Sequence, residues 1–240
     1  YPLALVLIIV LFSGLIYFFY QSSRVASQNK LWTAMAKETA HQIGTPLSSL
    51  IGWSELLKTE KVNPTYIEEI NNDINRLETI TERFSKIGSI PQLTPTDIVQ
   101  ATRNSVQYLE ARSSQMITFN SKLLEGAVLI DLNEALYSWT IENLIKNSID
   151  AMKGKGDLNI VMEDKPEEVC ILISDTGQGL SKKQFNTIFE TGYTTKKRGW
   201  GLGLSLAKRI IEQYHDGKIK VLSSELGKGT TFQITLKKSI

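Results

Sequence analysis

The sequence has few of the residues that bind metals or form disulfides. Its 240 residues contain a single cysteine, Cys170, and two histidines, His41 and His215. One thiol cannot build a disulfide framework or a cysteine-based zinc site, and two imidazoles cannot build a histidine-rich metal centre. We therefore expect a protein of a reducing compartment, in which Cys170 is a small buried apolar side chain.

The sequence also lacks an excess of charge of either sign. Lys and Arg together number 27 against 25 Asp and Glu, which gives a formal net charge of +2. No basic stripe runs through the sequence, so we expect no nucleic-acid partner. The length favours one large domain or two small ones, and the 42% of hydrophobic residues is enough for a core.

Charge is missing altogether from residues 1–20. A helix of that length spans roughly 30 Å, the thickness of a bilayer core. Basic residues follow from Arg24 onward with no acid until Glu38, so the positive-inside rule places the next stretch in the cytoplasm. We predict a transmembrane helix over residues 1–20. A signal peptide is disfavoured because the apolar run has no basic residues before it and no small-residue cleavage site after it. Because the chain begins inside an apolar run, we expect it to be a fragment whose upstream portion is missing.

Two long helical stretches follow, over residues 22–58 and 65–87, with the helix breakers Asn63 and Pro64 between them. The second stretch has a seam at steps of three and four residues, formed by Ile67, Ile70, Ile74, Leu77, Thr81, Phe84 and Ile87. A hairpin of two helices cannot bury such a seam on both sides by itself. We therefore predict a four-helix bundle made by two chains, and hence a homodimer.

Beyond a linker with two prolines, residues 88–96, helices are mixed with strands. We predict helices over 97–113, 133–152 and 203–214, and strands over 116–120, 127–131, 158–163, 169–174, 218–223 and 230–237. This mixture indicates an α/β sandwich, a sheet covered by helices on one face, and an α+β class for the whole chain. His215 lies at the end of the third of these helices, where we expect it to act as a cap.

Three glycine-bearing stretches in this half could contact a bound ligand. Residues 175–179, DTGQG, follow a buried strand, so the carboxylate would project from the strand end while the glycines let the backbone come close to a ligand. Residues 199–204, GWGLGL, open into a helix whose first N–H groups suit phosphate. Residues 227–230, GKGT, precede the last strand. Taken singly, each stretch could be only a structural turn.

Two asparagine side chains indicate a second feature of a possible ligand site, a place for a cation. Asn143 and Asn147 lie four residues apart and therefore on one face of a predicted helix. Amide oxygens are suitable ligands for a hard cation such as Mg²⁺.

These features belong to a series of short motifs. The series runs NLIKN at 143–147, DTGQG at 175–179, FETGYTTK at 189–196, GWGLGL at 199–204 and GKGTTF at 227–232, all downstream of AHQIGTPLSSL at 40–50. Over residues 22–240 the chain resembles the bacterial sensor histidine kinases of two-component signalling. The resemblance implies a dimerisation and phosphoacceptor domain over residues 21–90 and a catalytic ATP-binding domain of the gyrase and chaperone type over residues 91–240. It also implies a location in the bacterial inner membrane, with the catalytic portion in the cytoplasm.

The resemblance implies a role for each matching residue. His41 would be phosphorylated, with Gln42 standing where the family usually has an acid, and Thr45 would orient water for phosphatase action. Asp175 would hydrogen-bond the adenine amino group of ATP, and Asn147 would coordinate Mg²⁺. The other expected nucleotide-binding residues are Asn143, Gly177, Gly179, Lys196, Gly199, Gly201, Gly203 and Thr230.

The implied activity is autophosphorylation on His41 with Mg-ATP, followed by transfer of the phosphoryl group to an aspartate of a response regulator. Whether the protein is also the regulator's phosphatase stays open. One alternative is a kinase-weak ATP-binding phosphatase or scaffold for the regulator, since Gln42 cannot hold a proton. Another is an ATPase of the gyrase and chaperone type. Asn143 disfavours the ATPase because an amide cannot be the base that activates water.

Overall fold

The computed structural model describes residues 2–60, 62–87, 91–195 and 201–239. The chain divides into two compact units, residues 1–90 and residues 91–240, which we call the hairpin unit and the sheet unit. One unit is helical and the other combines helices with strands, so the predicted α+β class is confirmed.

The hairpin unit consists of two helices, α1 (Pro2–Thr59) and α2 (Pro64–Ile87), which pack against each other. Pro64 stands at the first position of α2, where the missing N–H group costs nothing. Asn63 caps this helix, because its side-chain Oδ1 accepts from the Thr65 N–H at 3.1 Å. The predicted turn is therefore confirmed, and the two N-terminal stretches predicted separately form one continuous helix.

Few described side chains of the hairpin unit are buried. Leu47 of α1 and Ile67 and Ile74 of α2 are 9% exposed or less. Ser54 is also buried, and its hydroxyl donates to the Asn71 Oδ1 at 2.6 Å. Two helices can bury only a narrow stripe between them, so most of their remaining surface stays open.

The N-terminal part of α1 has exposed apolar side chains. The large ones described between Leu3 and Tyr20 are each at least 56% exposed. The described part of the chain holds no helix that is both long and apolar enough to cross a membrane. The transmembrane helix predicted for residues 1–20 is therefore not confirmed.

Within its described residues, the sheet unit contains seven strands and four helices. In chain order they are β1 (Thr94–Asp97), α3 (Ile98–Glu110), β2 (Ile117–Lys122), β3 (Leu129–Leu132), α4 (Glu134–Ala151), β4 (Gly156–Asp164), β5 (Glu168–Asp175), α5 (Gln184–Thr187), α6 (Gly203–Arg209), β6 (Lys218–Glu225) and β7 (Gly229–Lys237). A π-helical turn, Ile210–Tyr214, continues α6.

Five strands form the main sheet in the order β2-β4-β5-β7-β6. The β2–β4 pair is parallel and the other three pairs are antiparallel. Strands β1 and β3 form a separate antiparallel pair. One face of the main sheet is apolar, because alternate residues of a strand point to the same side. Ile160, Ile173 and Phe232 lie side by side on that face in β4, β5 and β7.

Helix α4 packs against this apolar face and fills the core with Leu136, Ile141, Leu144 and Ile145, all 0% exposed. The predicted sheet with helices on its buried face is thus observed. Cys170 is fully buried, as expected.

The structure differs from the sequence prediction at three points. The predicted linker, residues 88–96, overlaps strand β1, which pairs with β3. Pro95 had favoured a linker, but a proline is tolerated in a strand at a sheet edge. The short helix α5 was not predicted, and the predicted helix over 203–214 changes from α to π geometry at Ile210.

Candidate functional site

The first element of the site is the carboxylate of Asp175 at the end of β5. Asp175 is 6% exposed because it continues the buried face of that strand. Its Oδ1 accepts a hydrogen bond from the Gly177 N–H at 2.9 Å, which closes a tight turn. Burial raises the pKa of the Asp175 carboxyl, and the hydrogen bond from Gly177, which favours the charged form, opposes part of that shift. The strand end thus presents a largely buried acceptor.

Thr230 on β7 lies directly opposite Asp175 in the β5–β7 register. It is 5% exposed, and its hydroxyl is 2.9 Å from that of Ser224 on β6. The Ser224 hydroxyl oxygen accepts from the Leu180 N–H at 2.7 Å and so holds the loop that follows DTGQG. Ser224 was not predicted as a site residue, because nothing in the local sequence shows that it faces residue 180, 44 positions away.

Two predicted glycines are required by the backbone. Gly179 has φ of +68°, and a Cβ there would clash with the Glu225 carbonyl group. Gly201 has φ of +63°, and a Cβ there would clash with the backbone of Gly192. Positive φ and close backbone approach are both costly for any residue with a side chain. These two positions therefore fix the loops on either side of the site.

Asn143 on α4 supplies the second polar group. Its side-chain Nδ2 is buried and has no hydrogen-bond partner among the described residues. The Oδ1 of the same amide lies near Gly203, 3.7 Å from where a Cβ at that glycine would be. Gly203 is the first residue of α6. A buried donor without a partner is rare in folded proteins and indicates a place where a ligand group binds.

Asn147 is half-buried one turn further along α4. Its amide oxygen is of the chemical kind that Mg²⁺ accepts, and Mg²⁺ bound with a nucleotide takes most of its ligands from phosphate and water. The described residues contain no cluster of three or more His, Cys, Asp or Glu side chains that could hold a metal ion by themselves.

The segment between the two glycine loops has a hydrogen-bonded anchor that was not predicted. The Gln184 Oε1 accepts from the N–H and the hydroxyl of Ser181, and its Nε2 donates to the Tyr193 hydroxyl at 3.0 Å. The Gly192 N–H donates to the Gly201 carbonyl at 3.1 Å. The S-x-x-Q spacing of a capping box is the signal in the sequence that could have revealed the first of these anchors.

Several predicted residues cannot be placed in this geometry. Lys196 and Gly199 lie outside the described residues. His41, Gln42 and Thr45 belong to helix α1, but their side chains also lie outside the described part of the structure. The predicted site residues that the structure describes in the sheet unit are therefore Asn143, Asn147, Asp175, Gly177, Gly179, Gly201, Gly203 and Thr230.

Comparison with known proteins gives two family matches. Residues 31–90 match the His Kinase A (phospho-acceptor) domain. Residues 134–240 match the histidine kinase-, DNA gyrase B- and HSP90-like ATPase domain. The first match covers the second half of α1 and all of α2, and the second covers the sheet unit from α4 onward.

Individual relatives and solved structures are similar to most of this chain. Sporulation kinase E of Bacillus subtilis is 31% identical over 209 residues, which are 84% of this chain and 28% of that protein. A solved structure of histidine kinase ThkA in complex with response regulator protein TrrA is 25% identical with a TM-score of 0.55, over 86% of this chain and 61% of that one. Full-length ShkA in complex with AMPPNP is similar in fold, with a TM-score of 0.66 at 20% identity over 86% of this chain and 46% of that one. The chain spans about a quarter to a half of the curated relatives that it matches most strongly.

Proposed function

The chain belongs to the sensor histidine kinases of bacterial two-component signalling, and on this premise we propose that it uses Mg-ATP to phosphorylate its own His41. The phosphoryl group then passes to an aspartate of a response regulator. The proposal rests on two observations in the ATPase-type domain: the buried carboxylate of Asp175, and the buried Nδ2 of Asn143, which has no hydrogen-bond partner among the described residues.

The sheet unit, residues 91–240, is proposed as the catalytic ATP-binding domain. The Asp175 carboxylate accepts a hydrogen bond from the adenine amino group, with Thr230 beside it and the Gly177 turn against the base. Toward the phosphates, the start of α6 at Gly203 contributes free N–H groups next to the Asn143 amide. Gly179, Lys196, Gly199 and Gly201 complete the proposed nucleotide-binding set.

Asn147 is the proposed protein ligand of Mg²⁺. The cation, when bound with ATP, neutralises charge on the phosphate oxygens as the γ-phosphoryl group is transferred. Asn143 carries an amide where a water-activating ATPase would need a base, so transfer to a side chain is favoured over hydrolysis.

The proposed phosphoacceptor is His41 on α1. A neutral imidazole has a free lone pair near neutral pH, because its ordinary pKa is about 6.5. In the transfer an N–P bond forms as the bond from the γ-phosphorus to the β–γ bridging oxygen breaks. ADP then leaves and the imidazole proton passes to water. Gln42 can accept a hydrogen bond and orient the ring, but it cannot take up that proton.

Residues 21–90 are proposed as the dimerisation and phosphoacceptor domain. Leu50 and Trp53 on α1 and Ile70 on α2 are large apolar residues that are 37% to 65% exposed in the single chain. A second copy of the hairpin unit would bury such side chains in a four-helix bundle. The proposed form is therefore a homodimer.

The remaining proposals concern location and partner. Residues 1–20 are proposed to anchor the chain in the bacterial inner membrane, since the large apolar side chains described there are exposed and the stretch contains no charged residue. The rest of the chain then lies in the cytoplasm. A response regulator is the proposed partner because ThkA, 25% identical, forms a complex with the regulator TrrA.

A second candidate function rests on Gln42, which removes the acid expected beside the phosphoacceptor. In that case the protein is a kinase-weak ATP-binding phosphatase or scaffold for the regulator, with Thr45 orienting the attacking water. A weak autophosphorylation together with rapid loss of phosphate from the regulator favours this candidate.

The test is labelling with γ-³²P-ATP and Mg²⁺, with the wild type beside His41→Ala and Asp175→Asn. We expect acid-labile, base-stable label on the wild type and none on His41→Ala, which should still bind ATP. Asp175→Asn should lose about 10- to 100-fold in ATP affinity, since a hydrogen bond to a charged group contributes about 1.5–3 kcal/mol. Asp131→Asn, on β3 at an exposed position, is the matched control. Label that remains on His41→Ala contradicts the assignment.

A further inference from the structure

Asn133, the residue before α4, hydrogen-bonds to three separate parts of the sheet unit. Its side-chain Oδ1 accepts from the Leu136 N–H at 3.2 Å and so caps α4. Its Nδ2 donates to the Gln92 carbonyl at 3.2 Å. Its backbone N–H donates to the Nε2 of His215 at 2.9 Å. The cap uses only the side-chain oxygen, and the bond to Gln92 uses only the side-chain nitrogen.

The His215 ring is held by a hydrogen bond at each of its two nitrogens. It is 7% exposed, and its Nδ1 lies 2.8 Å from the Ile210 carbonyl oxygen. Because Nε2 accepts from Asn133, the ring proton is on Nδ1 and is donated to that carbonyl. Both ring nitrogens are therefore satisfied, and the imidazole joins the π-helical turn after α6 to the residue that begins α4.

The bond to Gln92 extends this connection to the segment that joins the two units. Six residues, 88–93, separate the end of α2 from the start of β1. With Gln92 held by this one exposed hydrogen bond, four residues, 88–91, lie between the contact point on the sheet unit and the last residue of α2. The same anchor also begins the helix that carries Asn143 and Asn147.

We propose that Asn133 is a positioning residue for phosphoryl transfer, because its hydrogen bond to Gln92 fixes where the connecting segment leaves the ATP-binding domain. The inference rests on the proposed function, in which the nucleotide on one unit must reach His41 on the other. Transfer between two linked units depends on the length of the connection and on the orientation that it permits. Shortening the connection from six residues to four changes the effective concentration by roughly twofold. Asn133 should therefore affect the transfer rate and leave nucleotide binding unchanged.

Two variants distinguish the hydrogen bond from Asn133 to Gln92, which we call the tether, from the helix cap. Asn133→Asp and Asn133→Ser both keep a side-chain oxygen that can cap α4, and both lack the amide nitrogen that donates to Gln92. Agreement between them excludes an effect of the added charge in Asn133→Asp. Asn104→Asp is the matched control, since Asn104 is exposed on α3 and its oxygen accepts from Gln100.

The measurements are made on the full chain. At saturating ATP, we expect both Asn133 variants to lower the single-turnover autophosphorylation rate by at least about twofold, the change in effective concentration that the longer connection brings. The ATP dissociation constant should stay within twofold of the wild type. Amide hydrogen exchange of peptides covering residues 91–96 should become faster, whereas exchange in α4 should not change. Asn104→Asp should match the wild type in all three measurements.

Several results would overturn the inference. An unchanged transfer rate removes the positioning role, and unchanged exchange over residues 91–96 removes the tether. A parallel loss of ATP affinity, or faster exchange in α4, shows that the variants act through the helix cap instead. A wild type that takes up no label contradicts the proposed function, and with it the positioning role. A labelled wild type with equal rates in the variants contradicts the positioning role alone.

Discussion

The two units of the chain differ in how they obtain a core. In the sheet unit, α4 alone buries Leu136, Ile141, Leu144 and Ile145 at 0% exposure against the sheet. In the hairpin unit, the described buried apolar residues are three, and Trp53 stays 65% exposed. A helix on a sheet buries a wide apolar face, whereas two helices bury only the stripe between them. The described part of the sheet unit thus has a core of its own, whereas the proposed dimer would give the hairpin unit a larger one.

The largest expected effect comes from a substitution that opens a cavity in the sheet unit. Ile141→Ala removes three carbons from a site with no exposure, and such substitutions cost about 2–5 kcal/mol. We expect calorimetry of the full chain to show a lower melting temperature for the sheet unit only. The matched variant Ile70→Ala, at a 37% exposed position of α2, should leave the sheet unit unchanged. If both units shift together in Ile141→Ala, the two units do not fold independently.

Much of the sheet unit could be predicted from the sequence, because its central elements have strong local patterns. The predicted helix 133–152 is observed as Glu134–Ala151, and the predicted strand 169–174 as Glu168–Asp175. In both, runs of apolar residues with a clear period mark the buried face. The DTGQG turn and its carboxylate were predicted for the same reason, since they directly follow that strand.

The features that were missed depend on contacts between distant residues. Strand β1 exists because Thr94 pairs with Leu132, and the loop after Gly179 is held by Ser224. His215 was expected to cap a helix end, and its bond to the Ile210 carbonyl fits that expectation. Its bond to Asn133, 82 residues away, could not be predicted. Local sequence carries no signal of such pairs. The contacts that hold the site in place were therefore harder to predict than the residues that form it.

A second test is directed at the hairpin unit and has a smaller expected effect. Ser54→Ala removes the buried hydroxyl that donates to Asn71, and a single hydrogen bond contributes about 0.5–1.5 kcal/mol. We expect a lower melting temperature for the hairpin unit and an unchanged one for the sheet unit. Ser49→Ala, at an exposed position of α1, is the control.

The same experiment can be repeated at several protein concentrations. If the hairpin unit is stabilised by a second copy, its melting temperature rises with concentration, and that of the sheet unit does not. A hairpin transition that is independent of concentration contradicts the dimer, whatever the effect of Ser54→Ala.

The smallest expected effect is a pH dependence that belongs to the sheet unit alone. Burial lowers the pKa of His215 below its ordinary value, and the hydrogen bond with Ile210 offsets part of this shift. The folded chain therefore favours the neutral ring, since a proton on Nε2 would face the Asn133 N–H. The stabilising contribution is complete above about pH 6.5, the pKa of an unfolded histidine, and is lost as the pH falls from there toward the lower folded pKa. The neighbouring Asp216 does not interfere, because its hydrogen bond with Lys237 lowers its pKa below the ordinary acidic value.

We expect the free energy of unfolding of the sheet unit to decrease between pH 7.5 and pH 5.5, and His215→Gln to remove most of that slope. An equal slope in the variant would assign the pH dependence to other groups, and a slope in the hairpin transition of the same size would remove the contrast between the units.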